Sequence, residues 1–182
     1  MLRYLRVLLA VVVSGLLAAP VALAADGGGP VVLTVTGNVA KPNRGPVDAF
    51  EDAVFAHLEV KFDKAFTFTL AELQSLPQRS VTVRYEGWPR EVTATGPEIG
   101  DVLKAAGAEG AKILVQAFDG YAPEFTGDDI ARGKLILALA ADGKPLSFGG
   151  RGPLWLLGPP DSFAGQEGED GLAFAVIRID VQ

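Results

Sequence analysis

The chain has 182 residues, with 16 Lys and Arg against 22 Asp and Glu, one His and no Cys. Without Cys there are no disulfides and no thiolate chemistry, and a single His excludes a multi-histidine metal site. A net charge of −6 with no basic run argues against nucleic acid and anionic membrane surfaces as partners.

Arg3 and Arg6 precede an apolar run from Val7 to Leu17, which is followed by Ala22-Leu23-Ala24 ahead of Ala25. These are the three parts of a secretory signal in order, so residues 1 to 24 are expected to be removed on export. An uncleaved anchor is the competing reading, since about 20 apolar residues span a bilayer; Pro20 and the small-x-small site favour cleavage. Tyr4 and Leu5 separate the two arginines, which therefore do not form a twin-arginine pair, and the chain is expected to cross unfolded. The expected location is the periplasm or the medium outside the cell. The exported chain has 158 residues, with 14 basic against 22 acidic and a net charge of −8, and is long enough for one core.

Residues 25 to 30 read as a flexible Gly-rich junction, and 31 to 182 as a single domain. Val31 to Gly37 is β-branched and ends on Gly, as a strand does. Lys41 to Pro46 reads as a loop, and the apolar residues at 47, 50, 54 and 58 predict a helix over Val47 to His57. Thr69-Leu70-Ala71-Glu72 is a capping-box pattern opening a short helix that Pro77 ends. Val81 to Tyr85 and Glu91 to Thr95 predict two strands around the turn Gly87-Trp88-Pro89. Gly96-Pro97 then opens a helix that runs to Ala106 and stops at Gly107.

Ala111 to Ala117 and Lys134 to Ala140 read as strands, with one helical turn between them in Gly127 to Gly133. Asp142-Gly143 is a hairpin signal, Leu154 to Leu157 a short strand, and Leu172 to Val181 the closing strand. There is no internal repeat. The fold class is α+β, with mixed β-sheets and short helices.

Five segments carry a resemblance. They are Leu33 to Gly37, Leu70 to Pro77, Gly96 to Gly107, Ala117-Phe118-Asp119-Gly120-Tyr121, and Gly149-Gly150-Arg151-Gly152-Pro153-Leu154-Trp155. In this order and spacing they resemble the molybdopterin-binding domain of the sulfite oxidase family, in particular its small exported, cysteine-free members. The resemblance covers nearly the whole exported chain and implies the sulfite-oxidase-like fold and a molybdopterin (molybdenum cofactor) site. In the family, the molybdenum is held by the pterin dithiolene and by one Cys just before the helix that opens here at Gly96. This chain reads Arg84-Tyr85-Glu86-Gly87-Trp88 there, with Tyr85 or Glu86 at the thiolate position. Members that grip the pterin phosphate carry His-Gly-Gly-Pro-Leu-Arg; aligned on Gly152-Pro153-Leu154, the His falls on Gly150 and the Arg on Trp155. Arg151 is left to supply one charge from a neighbouring position.

A cofactor inserted in the cytoplasm needs a folded carrier, which an unfolded exported chain is not. The expectation is therefore a non-catalytic ligand-binding or sensing module. A molybdenum oxidoreductase with an oxygen ligand, and a periplasmic adaptor for a membrane partner, are the alternatives. The candidate ligand-binding residues are Tyr85, Trp88, Asp119, Tyr121 and Arg151. Trp88 reads either as an indole at the cleft mouth or as a core plug. Asp119 and Tyr121 flank Gly120 and either face one cleft or, for Asp119, brace the turn. Arg151 sits among glycines whose amides, with its guanidinium, suit an anion; the alternative is a sharp loop that needs small residues. Trp155 reads as core, filling the volume of an arginine and a phosphate. A cleft lined by Tyr85, Trp88, Tyr121 and Arg151 would favour a ligand, and one filled by Trp155 an adaptor. His57 reads as structural at a helix end, Glu86, Glu91 and Glu98 form no demonstrable dyad, and Gln166 to Asp170 is a solvated acidic loop.

Overall fold

A computed structural model describes residues 29–163 and 169–182. The predicted export signal, most of the Gly-rich junction and part of the acidic loop lie outside the described residues. Over the described residues the chain is a mixed α+β structure with three sheets and short helices.

The largest sheet has five strands in the order β2-β1-β11-β5-β6: β1 is Val31–Gly37, β2 Phe66–Thr69, β5 Lys112–Ala117, β6 Glu124–Thr126 and β11 Val176–Val181. Only β1 and β11, the first and last strands, run parallel. Leu33 and Val35 face the core, as period-2 alternation requires, while Thr34 and Thr36 on the other face are also buried. The second sheet has four strands, β3 (Gln78–Val83), β4 (Val92–Pro97), β8 (Ala140–Ala141) and β9 (Lys144–Pro145). Its hairpin β8–β9 turns on Asp142 and Gly143, both with positive φ, as a two-residue turn demands. The third is a ribbon of β7 (Ile136–Ala138) and β10 (Trp155–Leu157). It is stitched to β4 by Leu139 N–H donating to Thr95 O at 2.8 Å. Gly96 is required at this crossing, because a Cβ there would lie 2.0 Å from the Leu137 carbonyl oxygen. One contiguous core draws on all three sheets.

The helices are α1 (Ala53–His57), α2 (Leu70–Ser75), α3 (Ile99–Ala106) and α4 (Gly127–Ala131). Helix α3 buries Ile99, Val102, Leu103 and Ala106, one stripe at helical spacing, and ends on left-handed Gly107. Among the described residues no helix is long and apolar enough to cross a membrane.

Several boundaries differ from expectation: β3 is Gln78–Val83 rather than Val81 to Tyr85, and the strand predicted over Lys134 to Ala140 is divided between β7 and β8. The helix predicted over Val47 to His57 is only the turn Ala53–His57. Asp48 accepts from the amides of Phe50 at 2.8 Å and Glu51 at 2.9 Å, so its side chain replaces the first helical turn and Phe50 stands exposed. Pro97 closes β4 rather than opening α3, whose N-cap is Glu98. The closing strand begins at Val176, after Ala175 with its positive φ, instead of at Leu172.

The capping box of α2 forms as its sequence requires: Thr69 Oγ1 accepts from Glu72 N, and Glu72 Oε2 accepts from Thr69 N at 2.7 Å. Thr69→Ala is expected to lower unfolding stability by about 1 kcal/mol, measured as a shift in the urea midpoint at unchanged slope.

Candidate functional site

Tyr85 and Trp88 are the ends of a four-residue turn closed by Trp88 N–H donating to Tyr85 O at 3.0 Å, with Gly87 at φ 85° in the position that needs a glycine. The turn aims both rings inward and leaves Glu86 exposed. The Tyr85 hydroxyl donates to Gly158 O at 2.6 Å, and its ring lies 5.1 Å from Trp88 and 6.5 Å from Phe163. Burial, reinforced by the carboxylates of Glu169 and Asp161, pushes its phenol well above the ordinary tyrosine range. Trp88 in turn donates its indole N–H to Glu169.

Trp155 on β10 is wholly buried beside them, its ring 5.6 Å from Trp88 and 5.5 Å from Phe174. The exposed Arg151 lays its guanidinium across this row, 5.0 Å from the Trp88 ring, 4.6 Å from Trp155 and 5.1 Å from Phe174. Tyr85, Trp88 and Arg151 are thus brought together, but in a cleft packed by Trp155. Two amides of the glycine loop, Gly150 and Gly152, both donate to Ser147 O, at 3.2 and 3.1 Å. The loop's backbone therefore bonds to itself and offers neither of these amides to an anion.

Asp119 and Tyr121 do not join this cluster through their side chains. Asp119 Oδ1 accepts from Tyr121 N at 3.0 Å and braces the turn at Gly120, where φ is 92°. The Tyr121 hydroxyl donates to Asp170 O, one residue beyond Trp88's partner Glu169, and the ring is exposed. His57 lies in the last turn of α1, and Glu98 pairs with Arg79 at 3.1 Å.

The positions that the resemblance assigns to a molybdenum cofactor do not fit it. The chain has no thiol. Tyr85 is buried, stays protonated and spends its hydroxyl on Gly158. Trp155, at the phosphate-gripping Arg position, fills the volume with an indole.

An open concavity lies elsewhere, over the start of β1. A groove of about 490 Å³ is lined by residues of β1 and α1 together with Phe118, Phe148 and Pro153. Val31, Val54, Phe118 and Phe148 all line it, with exposures of 53%, 37%, 48% and 72%, and the two Phe rings meet edge-on at 6.4 Å. Its polar rim is Arg44, Glu51 and Asp52, with Arg44 paired to Asp52. Sequence reasoning missed this surface; the one available signal was Phe148, a large apolar residue stranded in a glycine loop. Comparison with models of known protein families gives no match, and neither does comparison with curated proteins.

Because the folded Tyr85 holds its proton more tightly than the unfolded one, it stabilises the fold fully below about pH 10, and that contribution is lost as pH rises further. Tyr85→Phe is expected to flatten part of the alkaline fall in stability. It should also weaken the fold by about 1–3 kcal/mol at neutral pH, where the Gly158 carbonyl loses its donor. Urea titrations at about pH 7 and about pH 11 check both effects.

Proposed function

We propose that this protein is an exported, non-catalytic binding module with the sulfite-oxidase-like fold, a periplasmic or secreted adaptor whose apolar groove engages a protein partner. The observation that carries this reading is the wholly buried Trp155, which packs between Trp88 and Phe174 where the resemblance places a phosphate-gripping arginine. A cleft filled by the chain's own rings leaves the surface as the means of recognition.

The groove supports a protein partner because its aromatic and branched side chains protrude. Phe148 is 72% exposed and Val31 53%, whereas a small-ligand site draws its apolar groups into a concave wall. Exposed apolar residues beside a charged rim of Arg44, Glu51 and Asp52 have the anatomy of a protein interface. A volume of about 490 Å³ also suits a small apolar molecule, which is the second reading of the same groove.

Two experiments test the proposal. Protein purified from the periplasm of a host that makes molybdopterin is expected to be folded and free of molybdenum and pterin by elemental analysis and pterin fluorescence. Near-stoichiometric molybdenum would overturn the non-catalytic reading and make the exposed Glu86 the ligand to test. For the partner, a photo-crosslinking residue at position 148 is expected to trap a discrete protein adduct in the source cell. The same residue at Phe50, equally apolar but absent from the groove's lining, should trap none. Adducts at neither position, together with saturable uptake of an apolar dye that Phe148→Ser abolishes, would replace the adaptor by the small-molecule reading.

A further inference from the structure

Trp88, Trp155 and Phe174 form a row of three rings, with Trp155 in the middle and neighbours inclined by 36° and 33°. The Arg151 guanidinium carbon lies 4.6–5.1 Å from all three centroids, inside the roughly 6 Å over which a ring face attracts a cation. The trough is therefore shaped for a cation, and at present its own arginine is the cation.

Two further observations indicate that this occupant can be exchanged. The side chain of Arg151 is exposed and has no hydrogen-bond or carboxylate partner among the described residues. Its backbone is held separately, Ala175 N–H donating to Arg151 O at 3.1 Å, so the side chain can swing out without moving the loop. The carboxylate of Glu169, bonded to the Trp88 indole, adds negative charge beside the rings.

We propose that this aromatic trough is a binding site for a small quaternary ammonium compound, and that Arg151 is a resident cation which the ligand displaces. The ammonium takes the place of the guanidinium over the rings. The site is distinct from the apolar groove and stands whether or not the groove engages a partner.

The chain has two tryptophans, both in the trough, so intrinsic fluorescence reports on this site directly. The full exported protein is titrated with choline, tetramethylammonium and sulfate at constant ionic strength, alongside Arg151→Ala and, should that variant fold poorly by circular dichroism, Arg151→Gln. Choline is expected to give a saturable change that tightens by about tenfold when Arg151 is removed. Tetramethylammonium, which places the same charge over the rings, should show the same gain when Arg151 is removed. The proposal fails if the folded variant binds choline no more tightly than the native protein. It fails equally if sulfate gives the saturable response and loss of Arg151 abolishes it, which would make the arginine an anion site.

Discussion

The parallel pairing of β1 with β11 is the constraint on which the rest of the structure depends. The last strand of the chain enters the middle of the main sheet, between the first strand and β5, so neither half of the sheet is complete until the C-terminus arrives. Closing contacts of such sequence separation is entropically costly, and side chains must favour one register strongly. Gly37 lets the two strands end together, since a Cβ there would sit 2.0 Å from the Val181 carbonyl oxygen. Around it Thr36 donates to Asp180 at 2.6 Å, and Arg178 reaches Thr36 at 2.8 Å, Gln116 at 3.0 Å and Asp180 at 2.6 Å. Burial opposes the charge on Asp180, but the bonds from Thr36, Gln182 and Arg178 outweigh it and hold the carboxyl below its ordinary range. Slipping β11 by one residue would turn Arg178 and Asp180 to the opposite face, away from Thr36 and Gln116.

With the sheet closed, its inner face supports a continuous line of aromatic rings. It runs from Phe125 on β6 through Phe163, 6.1 Å away, to Tyr85 and Trp88, then to Trp155 and Phe174, and ends under the exposed Arg151. An empty cleft at this place would cost stability in proportion to its volume, and the indole of Trp155 removes that cost. The same indole that stabilises the core leaves no open space beside Trp88 and Phe174. On the outer side of this packing lie three ring faces covered by one unanchored side chain.

The apolar groove arises from a different cause. Asp48 and Asp52 hold residues 48–52 in turns by accepting backbone amides, so the segment does not continue the helix that its apolar spacing suggests. The helix is cut to a single turn, and Phe55 is its one buried residue. Val54 is left beside Val31 at the start of β1, and Phe118 and Phe148 converge from two loops far apart in the chain.

The sequence by itself determined the local structure wherever the determining chemistry lies within a few residues. The capping box at Thr69 and Glu72, the turn glycines at 87, 107, 120 and 143, the β-branched run of β1 and the bracing role of Asp119 all belong to that class. The amphipathic stripe of α3 was legible for the same reason, and so was the buried character of Trp155. Only the tertiary structure decided that β11 inserts between β1 and β5, that the cleft at Tyr85 and Trp88 is full, that Arg151 caps three rings, and that four separated apolar residues line one groove. The physical reason is separation: these features depend on groups tens to more than a hundred residues apart, whose meeting is set by sheet register and by packing of the shared core and carries no signature in any local stretch of chain.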